Sequence, residues 1–175
     1  MAKPVIIVCI VGASGSGKTT ASFILQKQFD WNVICSYTTR PMREGETDGV
    51  EHRFVSSEEV PSQAEMCAYT QFGGYEYWTT WQQFSLDIPN VYVIDEKGLI
   101  GLKNKTDTPF PIKLFTIYVK RNDLTAIDNK RKERDNERVS ITNEWYDYLI
   151  TNNHSIEEFK SHLYLVGQCI KQKID

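Results

Sequence analysis

Three features of this 175-residue chain predict an α/β fold, a doubly wound parallel sheet flanked by helices. First, residues 5–11, 91–94 and 114–119 are continuous apolar runs rich in Val and Ile, the pattern of strands buried on both faces. Second, helix-length segments separate these runs, so strands and helices alternate. Third, the first run feeds directly into Gly12-Ala13-Ser14-Gly15-Ser16-Gly17-Lys18-Thr19, a glycine-rich turn of the pattern G-x-x-x-x-G-K-[ST] that opens a helix. In such sheets ligands lie beyond the carboxyl ends of the strands, which is where Gly12, Ser36 and Asp95 fall.

Composition sets the wider bounds. A chain of this length forms one domain with a core that needs neither disulfides nor a structural metal. Hydrophobic residues make up 41% and charged residues 25%, and the formal net charge of -3 gives no support to broad binding of nucleic acid or of a membrane surface. Cys9, Cys35, Cys67 and Cys169 stand far apart with no C-x-x-C spacing, which points to a reduced, cytoplasmic protein and away from a metal ribbon. The amino-terminal apolar run is too short to span a bilayer and lacks a small-residue cleavage site.

Taken in order, the first strand and the helix over residues 18–29 are followed by a short second strand at residues 31–35. Residues 42–51 carry Gly45, Gly49 and mixed charge with no apolar period, and read as a loop. Ser56-Ser57-Glu58-Glu59 fits a capping box, and Pro61 keeps the helix behind it brief or kinked. Residues 66–77, rich in Tyr, Thr, Phe and Gly, favour short strands and turns. Residues 37–85 thus read as a small lobe inserted into a core of residues 1–36 and 86–175, all within one domain. Beyond it come a strand at 91–94, a helix near 99–103, a strand at 114–119, a charged helix over 123–138 and a fifth strand at 148–150. A closing helix over 156–171 has apolar positions at Ile156, Phe159, Leu163, Val166 and Ile170.

The glycine-rich turn has the chemistry of a phosphate-binding P-loop. Its glycines let the backbone wrap with N–H groups pointing inward, and the helix behind it aims its positive end at the same point. Gly12, Ala13, Ser14, Gly15, Ser16, Gly17, Lys18, Thr19 and Thr20 are therefore the expected site for a nucleotide's phosphates. Lys18 would bridge the outer phosphates as a point charge, and the Thr19 hydroxyl would complete the shell of a Mg²⁺ ion. An ordinary glycine-rich turn before a helix is the plainer alternative, and the buried strand pattern in front of it weighs against that.

Ser36-Tyr37-Thr38-Thr39-Arg40-Pro41-Met42-Arg43-Glu44-Gly45-Glu46 sets two arginines beside a strand end, where their planar forks could clamp an acceptor phosphate. Alone, that pattern is equally a solvated, salt-bridged loop. The order of motifs adds to it. GASGSGKT, SYTTRPMREGETDG, GGYEYWT and VIDEKG follow one another, and from about Ile6 to Leu163 the chain resembles the guanylate kinase family. The resemblance implies a P-loop NTPase-like sheet with a small NMP-binding lobe and a short helical lid at residues 123–140. It also implies transfer of the γ-phosphoryl group of ATP to GMP or dGMP, with Mg²⁺. On matching positions it assigns Arg40, Arg43 and Tyr77 to the acceptor phosphate, Ser36 and Asp95 to the guanine base, and Asn152 to the neighbourhood of the donor adenine.

The chain departs from the family pattern in three places. His52 stands where the family has a phosphate-binding tyrosine, and an imidazole there would change charge near neutral pH. Ala68 replaces a glutamate that helps recognise guanine, and Val93 stands at the first acidic position of a D-x-D strand end. A site short of base hydrogen bonds discriminates less. Another deoxynucleoside monophosphate or ribose 1,5-bisphosphate is therefore an alternative acceptor, and a non-catalytic interaction module is the alternative from another class.

Arg131, Arg134 and Arg138 recur along one face of the charged helix. Phosphoryl transfer needs cations on its equatorial oxygens, and Arg131 and Arg134 are the expected catalytic pair. A solvated helix with i, i+4 ion pairs is the plainer reading of the same residues. The aromatic group Tyr75, Tyr77, Trp78 and Trp81 reads as lobe packing, since no basic groove accompanies it. His154 and His162 read as surface positions. Small-molecule nucleotides are the expected partners, with the chain a monomer or dimer.

Overall fold

Every residue of β1 (Val5–Val11) is buried, because the strand is covered on both faces. The computed structural model describes residues 3–50, 52–123, 135 and 138–174. β1 is the centre of a five-stranded sheet completed by β2 (Asn32–Ile34), β7 (Asn90–Val93), β8 (Ile112–Lys120) and β9 (Tyr148–Thr151). The order is β2-β7-β1-β8-β9, with every neighbouring pair parallel. Alternation along β1 divides the core. Ile6, Val8 and Ile10 pack with Leu25 of α1 (Lys18–Phe29) and with Phe159, Leu163 and Ile170 of α3 (Ile156–Ile174). Val5, Ile7, Cys9 and Val11 pack on the other face with Leu99 and Leu102 of α2 (Glu96–Lys103).

Between β2 and β7 the chain makes a second, four-stranded sheet from β3 (Tyr37–Thr38), β4 (Arg53–Phe54), β5 (Met66–Phe72) and β6 (Tyr75–Thr80), in the order β4-β3-β6-β5. The β5–β6 hairpin turns through Gly73 and Gly74, both at positive φ, the requirement of a two-residue turn between strands paired at Phe72 and Tyr75. Trp78 is buried and stacks on Tyr37 at 5.5 Å, so this part of the aromatic cluster is packing.

Several details differ from the sequence reading. The helix expected after Ser56 is one 3₁₀ turn, Ser57–Glu59, ended before Pro61, with the Glu59 carboxylate accepting from Ser56 N at 2.8 Å. The closing helix continues to Ile174. Of the charged helix expected over residues 123–138, residues 124–134, 136 and 137 lie outside the described residues. His154 is exposed and His162 half-buried.

Candidate active site

The P-loop joins β1 to α1 at the carboxyl edge of the parallel sheet. Gly12, Gly15 and Gly17 all take positive φ there. At Gly12 a side chain has no room, since a Cβ would lie 2.2 Å from the Val119 carbonyl oxygen of β8. Gly17 is enclosed from the other side by Asn152, whose Nδ2 donates to Ser16 O at 2.9 Å. Asn152 thus follows β9 and buttresses the loop itself. Lys18 Nζ donates to the carbonyls of Gly12 and Ala13 at 2.7 and 2.8 Å. Burial, and then the nearby Arg138 cation, lower its pKa to about 8.

Two cavities meet at this loop and share Gly15, Lys18 and Thr19. One, of about 670 Å³, is bounded by Thr20, Arg121, Asn122, Asn152, Asn153 and Ile156. The other, of about 360 Å³, runs beneath the second sheet and is lined by Ser36, Arg40, Arg43, His52, Tyr77 and Asp95. All the sequence-predicted acceptor residues therefore fall in one cavity, while Thr20 and Asn152 fall in the other. Thr19 is exposed at their junction. Among the described residues no three His, Cys, Asp or Glu side chains gather as a metal site. A Mg²⁺ ion here would depend on the Thr19 hydroxyl and on nucleotide oxygens, which suits a cation that keeps most of its own shell.

In the acceptor cavity Arg40 is buried, and its guanidinium is held as a fork. Nη1 and Nη2 donate to the two Glu46 carboxylate oxygens at 2.9 and 2.8 Å, and Nη1 also donates to Pro41 O at 2.8 Å. Glu46 further accepts from Arg43 N at 2.8 Å. Burial alone would raise the Glu46 pKa; the hydrogen bonds from Arg40 and Arg43 outweigh it and hold the carboxyl below its ordinary range. The expected salt-bridged loop is thus present, with the glutamate fixing an arginine that lines the cavity.

His52 corrects an expectation. Its Nδ1 lies 2.8 Å from Ser36 Oγ and its ring meets the edge of Tyr77 at 5.6 Å. Burial, and then the Arg40 cation, lower its pKa to about 4, so His52 is neutral and does not change charge near neutral pH. Ser36, expected to face a base, commits its hydroxyl to this histidine. Asp95 is the N-cap of α2, accepting from Gly98 N at 2.7 Å, while it lines the cavity. Ala68 and Val93 line the same cavity and bring no polar side-chain atom to it.

Arg131 and Arg134, the expected lid pair, lie outside the described residues. The arginine that the structure does bring to the site is Arg138. It is paired with the Glu96 carboxylate and lies 3.5 Å from Asp135 Oδ1. Asp135 in turn accepts from the P-loop, from Ser14 N at 3.1 Å and from Ser14 Oγ at 2.8 Å. Glu96 and Asp135 escaped the sequence reading. Glu96 passes as an ordinary acid in a first helical turn, and only its nearly complete burial marks it out.

A family model for guanylate kinase matches residues 1–166 of the chain. Among curated proteins, the guanylate kinase of Syntrophotalea carbinolica is 33% identical over 187 residues, an alignment spanning 93% of this chain and 86% of that protein. The guanylate kinase of Streptococcus mutans is 29% identical over 178 residues, spanning 87% of this chain and 81% of that one. Among solved structures, a guanylate kinase from Anaplasma phagocytophilum superposes with a TM-score of 0.63 at 20% identity, covering 96% of this chain and 86% of its own, which shows the shared fold.

Proposed function

The chain belongs to the guanylate kinase family, and from that premise we propose that it transfers the γ-phosphoryl group of ATP to GMP or dGMP, forming ADP and GDP or dGDP. The observation that carries this reading is the meeting of two cavities at Gly15, Lys18 and Thr19, one walled by Asn152 and the other by Arg40, Arg43, His52 and Tyr77. A kinase must bring two phosphates together in line, and two cavities sharing one lysine provide for that.

In this reading the donor phosphates lie in the P-loop, where Lys18 turns from its own loop carbonyls to the phosphate oxygens. Arg40, fixed by its two bonds to Glu46, keeps its cation and the Nε/Nη2 edge that those bonds leave beside the acceptor phosphate, and Arg43 and Tyr77 complete the cradle. Neutral His52 contributes a hydrogen bond there and no charge. An acceptor phosphate oxygen attacks the γ-phosphorus while the bond from that phosphorus to the β-phosphate oxygen breaks, and ADP leaves; no covalent enzyme intermediate is needed. Thr19, with nucleotide oxygens, would hold a Mg²⁺ ion, whose chemistry there would be charge neutralisation on the transferring group. Residues 123–140 act as the lid, with Arg131 and Arg134 as its candidate cations, and residues 37–85 as the acceptor lobe. A reduced, cytoplasmic setting suits nucleotide substrates and cysteines with no C-x-x-C spacing.

The test is a coupled ADP-release assay across GMP, dGMP, AMP, CMP, dTMP and ribose 1,5-bisphosphate. GMP or dGMP is expected to have the highest kcat/KM, and equal rates for all acceptors would overturn the guanine assignment. Lys18→Ala is expected to abolish turnover; unchanged turnover and ATP affinity would overturn the enzyme reading.

A further inference from the structure

Two charged side chains are buried among the described residues, Arg40 and Glu96, and they flank the same cavity. Arg40 is neutralised by Glu46 and belongs to the acceptor cradle. Glu96 has no part in the reading above, yet its side chain is only 4% exposed. An ionised carboxylate in that position is costly unless a cation meets it. The cation is Arg138, from a segment 42 residues further along the chain.

The pair is asymmetric in a way that bears on function. Glu96 is anchored in the first turn of α2, directly after the cap Asp95, where the helix dipole favours a negative charge. Arg138 is 17% exposed and lines the cavity alongside Lys18 and Gly12. Both ends thus border the cavity, Glu96 almost wholly covered and Arg138 the more open of the two. A second contact continues the chain of groups, from Arg138 to Asp135 and from Asp135 to the Ser14 amide and hydroxyl of the P-loop. The field of Arg138 at Lys18 is the largest influence after burial in lowering that lysine's pKa, which places the two cations in the same small volume. The repulsion between this arginine and the P-loop lysine is offset by the carboxylates of Asp135, Glu96 and Asp95, which act on the lysine in the opposite direction. A buried ion pair is also a poor device for stability alone, since apolar residues of similar volume serve as well or better.

We propose that Glu96 is a positioning residue that holds the Arg138 guanidinium over the P-loop, so that Arg138 meets the charge that develops on the transferring phosphoryl group. The assignment rests on the kinase reading and adds to it the arginine that acts and the residue that aims it. A cation fixed before the reaction stabilises the transition state without reorganisation at that moment, whereas one on a free side chain must first be ordered. Loss of Glu96 is therefore felt in kcat more than in either KM.

The test is steady-state kinetics with ATP and GMP on the full chain, comparing wild type, Glu96→Gln, Glu96→Asp, Arg138→Ala and the double variant Glu96→Gln/Arg138→Ala. Glu96→Gln is expected to lower kcat about 10- to 100-fold with each KM changed less than about threefold, and Glu96→Asp to recover part of the loss. In the Arg138→Ala background the same Glu96→Gln change is expected to alter kcat less than about twofold, because its target is already gone. Added guanidinium ion is expected to rescue Arg138→Ala while Glu96 is present, and to rescue the double variant much less. The assignment is overturned if Glu96→Gln leaves kcat unchanged, if it lowers kcat equally in both backgrounds, or if guanidinium rescues both variants equally. Should Glu96→Gln not fold, the Glu96→Asp comparison in the two backgrounds decides in the same way. Wild-type protein that forms no GDP overturns the kinase reading itself, an outcome distinct from these.

Discussion

Raising the pH weakens ATP binding through a single proton on Lys18. In the free protein this half-buried lysine lines the same cavity as Arg138 and, among the described residues, donates to the Gly12 and Ala13 carbonyls; its pKa is about 8. Contact with phosphate restores a preference for the charged form, so the bound lysine stays protonated well above that value. The sign follows from linkage. Binding takes up a proton wherever free Lys18 has lost one, so affinity is full well below pH 8, is about halved at that pH and keeps declining above it. Between about pH 7.5 and about pH 9 the protonated fraction of the free lysine falls from about three-quarters to about one-tenth, so Kd rises about eightfold, close to 1.2 kcal/mol. Phosphate groups are fully ionised across that window and contribute little. Isothermal titration calorimetry in two buffers of different ionisation enthalpy reads both quantities. Proton uptake is expected to climb from about 0.2 to about 0.9 per ATP bound over the same range. A Lys18→Arg variant, whose cation does not titrate, is expected to show no such slope. A Kd that changes less than twofold, with no proton uptake, would show that Lys18 keeps an ordinary pKa and that its burial beside Arg138 has been misjudged.

Other perturbations reach the remaining parts of the site. Arg40→Lys loses the two-pronged bond to Glu46 as well as the edge left for the acceptor, and kcat/KM for GMP is expected to fall about 100-fold or more in initial-rate assays. His52 has a folded pKa of about 4 against an ordinary 6.5, so its contribution to stability is full above about pH 6.5 and is lost as pH falls toward 4. Urea titrations are expected to show wild type losing about 2–4 kcal/mol relative to His52→Gln over that window, and parallel profiles would refute it. Gly12→Ala sets a Cβ against the Val119 carbonyl at a left-handed backbone angle, so a loss of about 2–4 kcal/mol in urea unfolding and no measurable ATP binding are expected. Asp135→Ala removes the carboxylate that occupies the Ser14 amide, and ATP is expected to bind severalfold tighter by calorimetry; weaker binding would contradict a competing role for that contact.

The parts of the site legible in the sequence are those whose chemistry lies within one short stretch. The P-loop is contiguous with the strand and helix that shape it, so its glycines, Lys18 and Thr19 could be read together, and the positive φ angles match that reading. Arg40 and Arg43 were ambiguous alone, since flanking acids suit a surface loop equally well. The structure shows the Arg40–Glu46 pair that a salt-bridged loop would have, and it sets both arginines on a cavity wall, which the flanking residues alone do not reveal. His52 was misjudged because residue type sets only an ordinary pKa. The shift to about 4 comes from burial and from Arg40, which a list of neighbours in the chain does not contain.

By itself, then, the order of residues determined the strand–loop–helix that receives phosphate, the alternation that makes a parallel sheet, and the set of polar groups that could face an acceptor. The first two depend on local backbone preferences and hydrophobic periodicity, which are properties of neighbouring residues, and the third on the resemblance to the guanylate kinase family that the order of motifs carries. Only the tertiary structure decided that Ser36 holds His52, that Asn152 braces the P-loop and that Glu96 meets Arg138. These are contacts between residues 16, 136 and 42 positions apart in sequence. Burial makes each of them consequential, because a charge or hydrogen-bonding group removed from water must find its partner wherever the fold brings one.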